Sequence, residues 1–265
     1  MKIYDAQIER VRELFNGIIP KKYEYCKGKC REENTQYEMI FQSDMAYELG
    51  ANKERAVNLT CVSSNAQLFN DKDEILVYGD DLCEILDASS YARITEVLVK
   101  DDLGDDSNPS NMDKLYKIIQ DIDFVKYHMY TKGFMIRTSG QSCLEQVRVS
   151  KNALKEKVSF EHIGNSFIKR YRDNPNVLHV RIIFVTTANV DFDKLKKEAD
   201  TAIDIRRSLS MIHNGLPTEC GSCEIKDICD EVEGLRELHF GSKENGDYSK
   251  KKIEKSPITQ AFGRT

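Results

Sequence analysis

The sequence predicts an α+β fold, a mixed sheet with helices packed on it, followed by a C-terminal cysteine-rich cluster-binding segment. Three observations carry this. Residues 37–99 contain short runs rich in Val, Ile, Tyr, Phe and Thr, separated by turn residues. Beyond a polar stretch at 101–111 the apolar spacing changes to a helical period, and strands and helices then alternate. Finally, Cys220, Cys223 and Cys229 form a C-x2-C-x5-C run with Gly221 and Ser222 between the first two.

Asp5 is expected to cap a first helix whose apolar positions Ile8, Val11, Leu14, Phe15 and Ile18 form one stripe, with Pro20 as its stop. Cys26 and Cys30 follow in a basic, Gly-bearing turn. Strands are expected at residues 37–47, 56–62, 74–78 and 92–99, with Gly50-Ala51-Asn52 and Gly79-Asp80-Asp81 as turns. The aspartates of 101–111 lack the ligand alternation and closing Glu of a calcium loop, so the stretch is expected to be a solvated connection. Leu115, Ile118, Ile119 and Ile122 continue a helical stripe that starts at Met112. Strands at 134–138 and 144–149, helices at 151–157 and 160–171, and a break at Asn174-Pro175-Asn176 come next. Residues 177–185 are the most apolar strand, expected at the centre of a sheet. A charged helix over 191–211 leads to the cysteine run, and after Phe240 a Lys-, Gly- and Ser-rich tail is expected. Three units are expected: 1–36 with the first helix and the Cys-x3-Cys turn, 37–190 as the α+β domain, and 191–265 with the helix, the cysteine run and the tail.

With 265 residues the chain can bury a substantial core without staples. Its eight cysteines are not spaced as a disulfide scaffold, and the N-terminus has no apolar signal region, so a cytoplasmic protein with reduced thiols is expected. No apolar run has the length of a membrane span, and a net charge of −5 offers no general attraction to nucleic acid. Walker-type loops, Gly-x-Gly-x-x-Gly after a strand, Gly-x-Ser-x-Gly and His-Glu-x-x-His are all missing, which removes the commonest nucleotide, hydrolase and zinc-protease classes.

The cysteine run points to a metal or iron–sulfur centre, because adjacent thiolates in a Gly-containing turn can grip one centre and a third can close on it. A [4Fe-4S] cluster takes four thiolates. Cys30, and next to it Cys26, is expected to supply the fourth, favoured as thiolate by the Lys27-Gly28-Lys29 turn. His213 and His239 are second-line ligands. Both Cys26 and Cys30 with Cys220 and Cys223 would instead make a four-thiolate zinc site, leaving Cys229 unused. Cys61, Cys83 and Cys143 are expected to pack, with Cys143 the one whose small-residue turn can expose a thiol. His162 is expected in the core or as a cap, and His128 and His179 have no assigned role. The pairs Lys169-Arg170 and Arg206-Arg207 are expected on a solvated helix face, with contact to an anionic cofactor such as coenzyme A, joined by Arg181 on a strand, as the alternative.

The stretches Glu74 to Leu82, Ala92 to Val99, Gln146 to Ala153, Phe160 to Asn165 and His179 to Thr186 together resemble, in order and spacing, the acetyl-CoA synthase subunit of the carbon monoxide dehydrogenase/acetyl-CoA synthase complexes of anaerobes. The resemblance covers roughly residues 40–190. It implies an anaerobic iron–sulfur setting, that family's middle fold, and a redox or corrinoid protein as partner. Several features depart from the family. Asp80 stands where the family has Pro, there is no Trp, and no two cysteines are separated by one residue, so the Cys-x-Cys nickel pocket is missing. Only about thirty-five residues follow Cys229, where the family has a long C-terminal domain. Acetyl-CoA synthesis itself is therefore not expected. The two readings are an iron–sulfur protein of one-carbon or redox metabolism, an oxidoreductase or transferase if an enzyme, and a non-enzymatic binding or scaffold module with a structural [4Fe-4S] or zinc site.

Overall fold

The computed structural model describes residues 2–31, 38–100, 109–214, 223–232 and 235. Helix α1 (Asp5–Glu13) leads to strand β1 (Lys21–Glu24), then β2 (Met45–Leu49), β3 (Ala56–Ser63), β4 (Glu74–Tyr78) and β5 (Tyr91–Val99). Helix α2 (Pro109–Phe124), strands β6 (Phe134–Thr138) and β7 (Glu145–Ser150), and helices α3 (Lys151–Lys155) and α4 (Phe160–Arg172) come next. Strand β8 (Val177–Val185) and helices α5 (Phe192–His213) and α6 (Lys226–Glu231) follow.

The strands form two sheets, of order β1-β4-β8-β5-β3 and β2-β7-β6. The larger is mixed: β4 runs parallel to β8 and β3 parallel to β5, while β1 and β5 run antiparallel to their neighbours β4 and β8. Strand β8 is central, as its apolar run predicted, and Ile182 to Val185 are buried because both its faces are covered. The smaller sheet is antiparallel and packs through β7 against β3 and β5.

Side-chain alternation on β5 separates the covering helices. Arg93 lies under the Phe167 ring of α4, at 4.3 Å from its centroid. Glu96, of opposite parity, takes Arg12 of α1 at 2.6 Å. Helices α4 and α1 therefore cover opposite faces. Helix α5 packs on β3 and covers that edge strand. The exposed edge is β1, protected by its shortness and by Lys21 and Lys22.

The elements begin and end where local chemistry dictates. Asp191 caps α5, accepting from Lys194 N at 3.1 Å, and Pro109 opens α2, where its missing N–H costs nothing. Ser159 caps α4 in a capping box with His162, which bears out a capping duty for that histidine. Gly79 has φ +109, and a Cβ there would stand 2.6 Å from Thr186 Oγ1, so the turn after β4 can close on the end of β8 only without a side chain.

Three expectations change. Asp5 is a first-turn residue with Tyr4 at the cap position, and its carboxylate instead holds α1 to the end of β3 through Ser63 Oγ at 2.6 Å and Asn65 Nδ2 at 3.0 Å. The strand expected at 37–47 shortens to β2, because Asp44 N and Met45 N both donate to Phe41 O and form a turn first. Strand β1 was not anticipated, since three of its four residues are charged and it shows no alternation. One apolar cluster includes Tyr4 and Ile8 of α1, Val57 and Val180 of the large sheet, and Leu195 and Leu209 of α5. The tail after Phe240 lies outside the described residues.

Candidate metal centre

Two cysteines of the C-terminal run fall within the described residues, and Cys220 lies outside them. Cys223 precedes α6, where Lys226 N donates to Cys223 O at 3.2 Å. Cys229 lies on α6, its N–H donating to Ile225 O at 3.3 Å. Both are half-buried. Helix α6 rests on α5, and Ser208 Oγ of α5 stands 3.3 Å from Cys229 Sγ. Either the hydroxyl or the thiol can be the donor in this contact.

Cys26 and Cys30 flank a short helical turn, Lys27–Lys29, just after β1. Buried Asn165 and Ser166 of α4 hold this segment: Asn165 Oδ1 accepts from Cys26 N at 2.5 Å, and Ser166 Oγ from Arg31 N at 2.7 Å. Cys26 is exposed, and Lys29 is paired with Glu161 at 2.6 Å. The turn thus follows edge strand β1, whereas α6 rests on the helix that covers edge strand β3. Four inter-strand intervals lie between those edges, roughly 19 Å. The described residues do not bring Cys26 or Cys30 to Cys223 and Cys229, and among them no group of three His, Cys, Asp or Glu side chains converges as a metal site.

Of the second-line ligands, His213 bonds through Nδ1 to Asp113 at 2.8 Å and stacks on Tyr116, and His239 lies outside the described residues. Cys61 is buried, and burial, reinforced by Glu96, pushes its thiol well up, as a packing role requires. Cys143 is buried too, not exposed by its turn. Burial and a bond with Asp200 push it up to about 12. Cys83 departs from expectation in being exposed, with its thiol donating to Val158 O at 3.6 Å. Partial burial still raises its pKa, with Asp81 and Glu84 adding to the effect.

The basic residues do not converge. Arg181 is spent on Glu74 and on Glu96 at 2.8 Å, Arg206 on Asp123, and Arg207 on Glu224 at 3.2 Å. Arg170 pairs with Asp173 at 3.3 Å beside an open groove shared with Lys114 and Lys117 of α2. Arg181, Glu96 and Arg12 instead make a buried charge network. Sequence reasoning missed it, since its members come from three distant elements.

The turn after β4 gathers several of the resembling stretches at one end of the large sheet. Asp81 Oδ1 accepts from Phe160 N at 2.7 Å and so ties the turn to the start of α4, and Thr186 Oγ1 donates to Asp80 O at 2.8 Å. Among the described residues no helix is long and apolar enough to cross a membrane.

The fold is thus a mixed α+β scaffold with a short cysteine-bearing helix, α6, resting on its last long helix, α5. The family described as the CO dehydrogenase/acetyl-CoA synthase complex beta subunit, CdhC, matches residues 33–190, more than half of the chain, and the protein belongs to that family. The match begins before β2 and ends after β8, so α1 and β1 precede it while α5 and α6 follow it. No curated protein matches the sequence.

Proposed function

We propose that the protein is an iron–sulfur protein of anaerobic one-carbon or redox metabolism, with a [4Fe-4S] cluster held by Cys220, Cys223 and Cys229. The observation that carries the reading is the C-x2-C-x5-C run that begins beyond α5, thirty residues after the family-matched region ends, with Cys229 half-buried against the Ser208 hydroxyl. Three thiolates leave one iron without a protein sulfur. Among the described residues Cys26 and Cys30 form no metal group with Cys223 and Cys229, which favours an external ligand there, the arrangement that lets an iron bind a small molecule. Such a centre suits an oxidoreductase or transferase, or an electron carrier. A redox or corrinoid protein is the partner class that suits membership of a family named for a complex subunit.

The chain has no Cys-x-Cys pair, so nickel and acetyl-CoA synthesis are not part of the proposal. Anaerobically purified protein should carry about one [4Fe-4S] cluster per chain and no nickel, as read by iron, sulfide, nickel and zinc analysis and by the cluster's absorption. Stoichiometric nickel with acetyl-CoA synthesis would overturn the reading. Stoichiometric zinc without sulfide would favour the second one, a binding or scaffold module whose site is structural.

A further inference from the structure

A cysteine pair separate from the C-terminal run, Cys26 and Cys30, brackets the turn Lys27–Lys29 ahead of the family-matched region. Lys29 N donates to Cys26 O at 2.9 Å and Cys30 N to Lys27 O at 3.3 Å, which closes the turn. None of its three residues is buried, so it adds nothing to the core. Helix α4 nevertheless commits two fully buried polar side chains to the flanking backbone, Asn165 to Cys26 N and Ser166 to Arg31 N. That fixes residues 26 and 30 from both ends, as a pre-organised binding pair requires. Both side chains are within reach of solvent, Cys26 exposed and Cys30 half-buried. A Cβ on Gly28 would stand 3.9 Å from Cys26 Sγ, so that sulfur leans back over the turn and not away from it.

Spacing decides what the pair can hold. Four residue steps of about 2.0 Å rise put the two Cα atoms roughly 8 Å apart, beyond the limit of about 7 Å for a disulfide. A metal bonded to each sulfur at about 2.3 Å spans up to roughly 4.6 Å where a disulfide spans about 2 Å, and so closes the gap. We propose that Cys26 Sγ and Cys30 Sγ together bind one soft monovalent cation, of which copper(I) is the type. Each thiol releases its proton to solvent as its metal bond forms, and no electron is transferred. Zinc takes four ligands, and among the described residues no third His, Cys, Asp or Glu joins the pair. Copper(I) favours soft thiolates and accepts two of them. The bound pair carries one negative charge, which Lys27 in the same turn balances. The inference does not depend on the cluster reading, because it uses neither the C-terminal cysteines nor iron.

The test is anaerobic titration of the full chain with copper(I) against a coloured copper(I) chelator, in a variant that carries Cys220→Ser, Cys223→Ser and Cys229→Ser. It should hold about one copper(I) per chain, with X-ray absorption at the copper edge showing two sulfur neighbours. Adding Cys26→Ser with Cys30→Ser should abolish this binding, and either one alone should weaken it at least about tenfold, the least that loss of a supporting contact costs a metal site. An equal concentration of zinc should not displace the copper. If the C-terminal substitutions prevent folding, the wild type is compared with its Cys26→Ser, Cys30→Ser variant, which should take up about one copper(I) fewer per chain. No copper retained against the chelator, copper kept when both N-terminal cysteines are replaced, affinity unchanged in both single variants, or displacement by zinc would each overturn the proposal.

Discussion

Arg93 and Glu145, fifty-two positions apart, form a two-point ion pair with no solvent exposure on either side chain. Arg93 Nε reaches Glu145 Oε1 at 2.8 Å and Nη2 reaches Oε2 at 2.5 Å. Arg93 is on β5 of the large sheet and Glu145 opens β7 of the small one, so the pair joins the two sheets. Tyr91 Oη and Thr95 Oγ1 complete the shell, and Phe167 covers the guanidinium. A buried charge is tolerable only when paired and bonded in this way.

Truncating one partner should therefore cost far more than replacing both. Arg93→Ala or Glu145→Ala is expected to destabilise by about 3–5 kcal/mol, because each leaves an uncompensated buried charge. The double replacement Arg93→Met with Glu145→Leu should recover much of that loss. Urea unfolding of the four proteins checks it, and additive single effects would rule out the coupling.

Gly164 of α4 is packed directly on β4. A Cβ there would meet three atoms of the Ile75 side chain at 2.7–2.9 Å, and Ile75 is β-branched and fully buried. Gly164→Ala should cost about 1–3 kcal/mol in spite of alanine's better helix propensity. Adding Ile75→Ala should relieve part of it. A stabilised Gly164→Ala protein, seen by thermal denaturation, would contradict this contact.

Thiol accessibility should divide the cysteines. In native protein at mildly alkaline pH, Cys26 and Cys83 are expected to label with iodoacetamide, Cys83 more slowly because its thiol is raised. Cys61 and Cys143, buried and with raised pKa values, should label only after unfolding. Peptide mass mapping after timed alkylation reads the order, and early labelling of Cys143 would refute its burial.

The cluster reading predicts an asymmetry between the two ends of the chain. Cys223→Ser and Cys229→Ser should each lose most of the iron, while Cys26→Ser with Cys30→Ser should retain the cluster. Iron content and absorption decide it. Loss of the cluster in the N-terminal double variant would assign the fourth place to that turn.

Lys126 should leave a signature in the pH dependence of stability. Burial, the largest effect, lowers its pKa below the ordinary 10.5, while Asp123 opposes the shift. Between the lowered value and 10.5 the unfolded chain binds more protons than the folded one, so this residue's contribution improves as pH rises. Its penalty is full below the folded pKa and disappears towards 10.5. Lys126→Met should therefore gain stability over the wild type at neutral pH, and the gap should close as pH rises through that window. A gap that does not change with pH would show that Lys126 is not the source.

Apolar, β-branched and aromatic runs and the period-3.6 spacing made most of the fold legible, because burial on both faces fills strands such as β3 and β5 with such residues while burial of one face imposes its repeat on a helix. Residues 56–62, 74–78, 92–99, 134–138 and 177–185 read as strands on their composition and match β3, β4, β5, β6 and β8 closely. Asp191 and the Ser159–His162 box mark helix starts through bonds made within one turn, which a sequence can encode locally. The C-x2-C-x5-C spacing is likewise a local pattern.

Local patterns cannot encode which side of a sheet a segment reaches. Strand β1 was hidden because its residues are charged and its pairing with β4 is made by backbone groups, to which side-chain composition is blind. The shared chemistry of Cys26, Cys30 and the distant cysteines likewise says nothing of nearness in space. The strand order β1-β4-β8-β5-β3, set by how the whole core packs, put their turn beside α4 and Cys229 beside α5. Arg93–Glu145 and Arg206–Asp123 arise the same way, from side chains far apart in sequence. By itself, the sequence determined most of the secondary structure, the mixed sheet and the presence of a cysteine motif. Only tertiary packing decided which of those cysteines, charges and rings would meet.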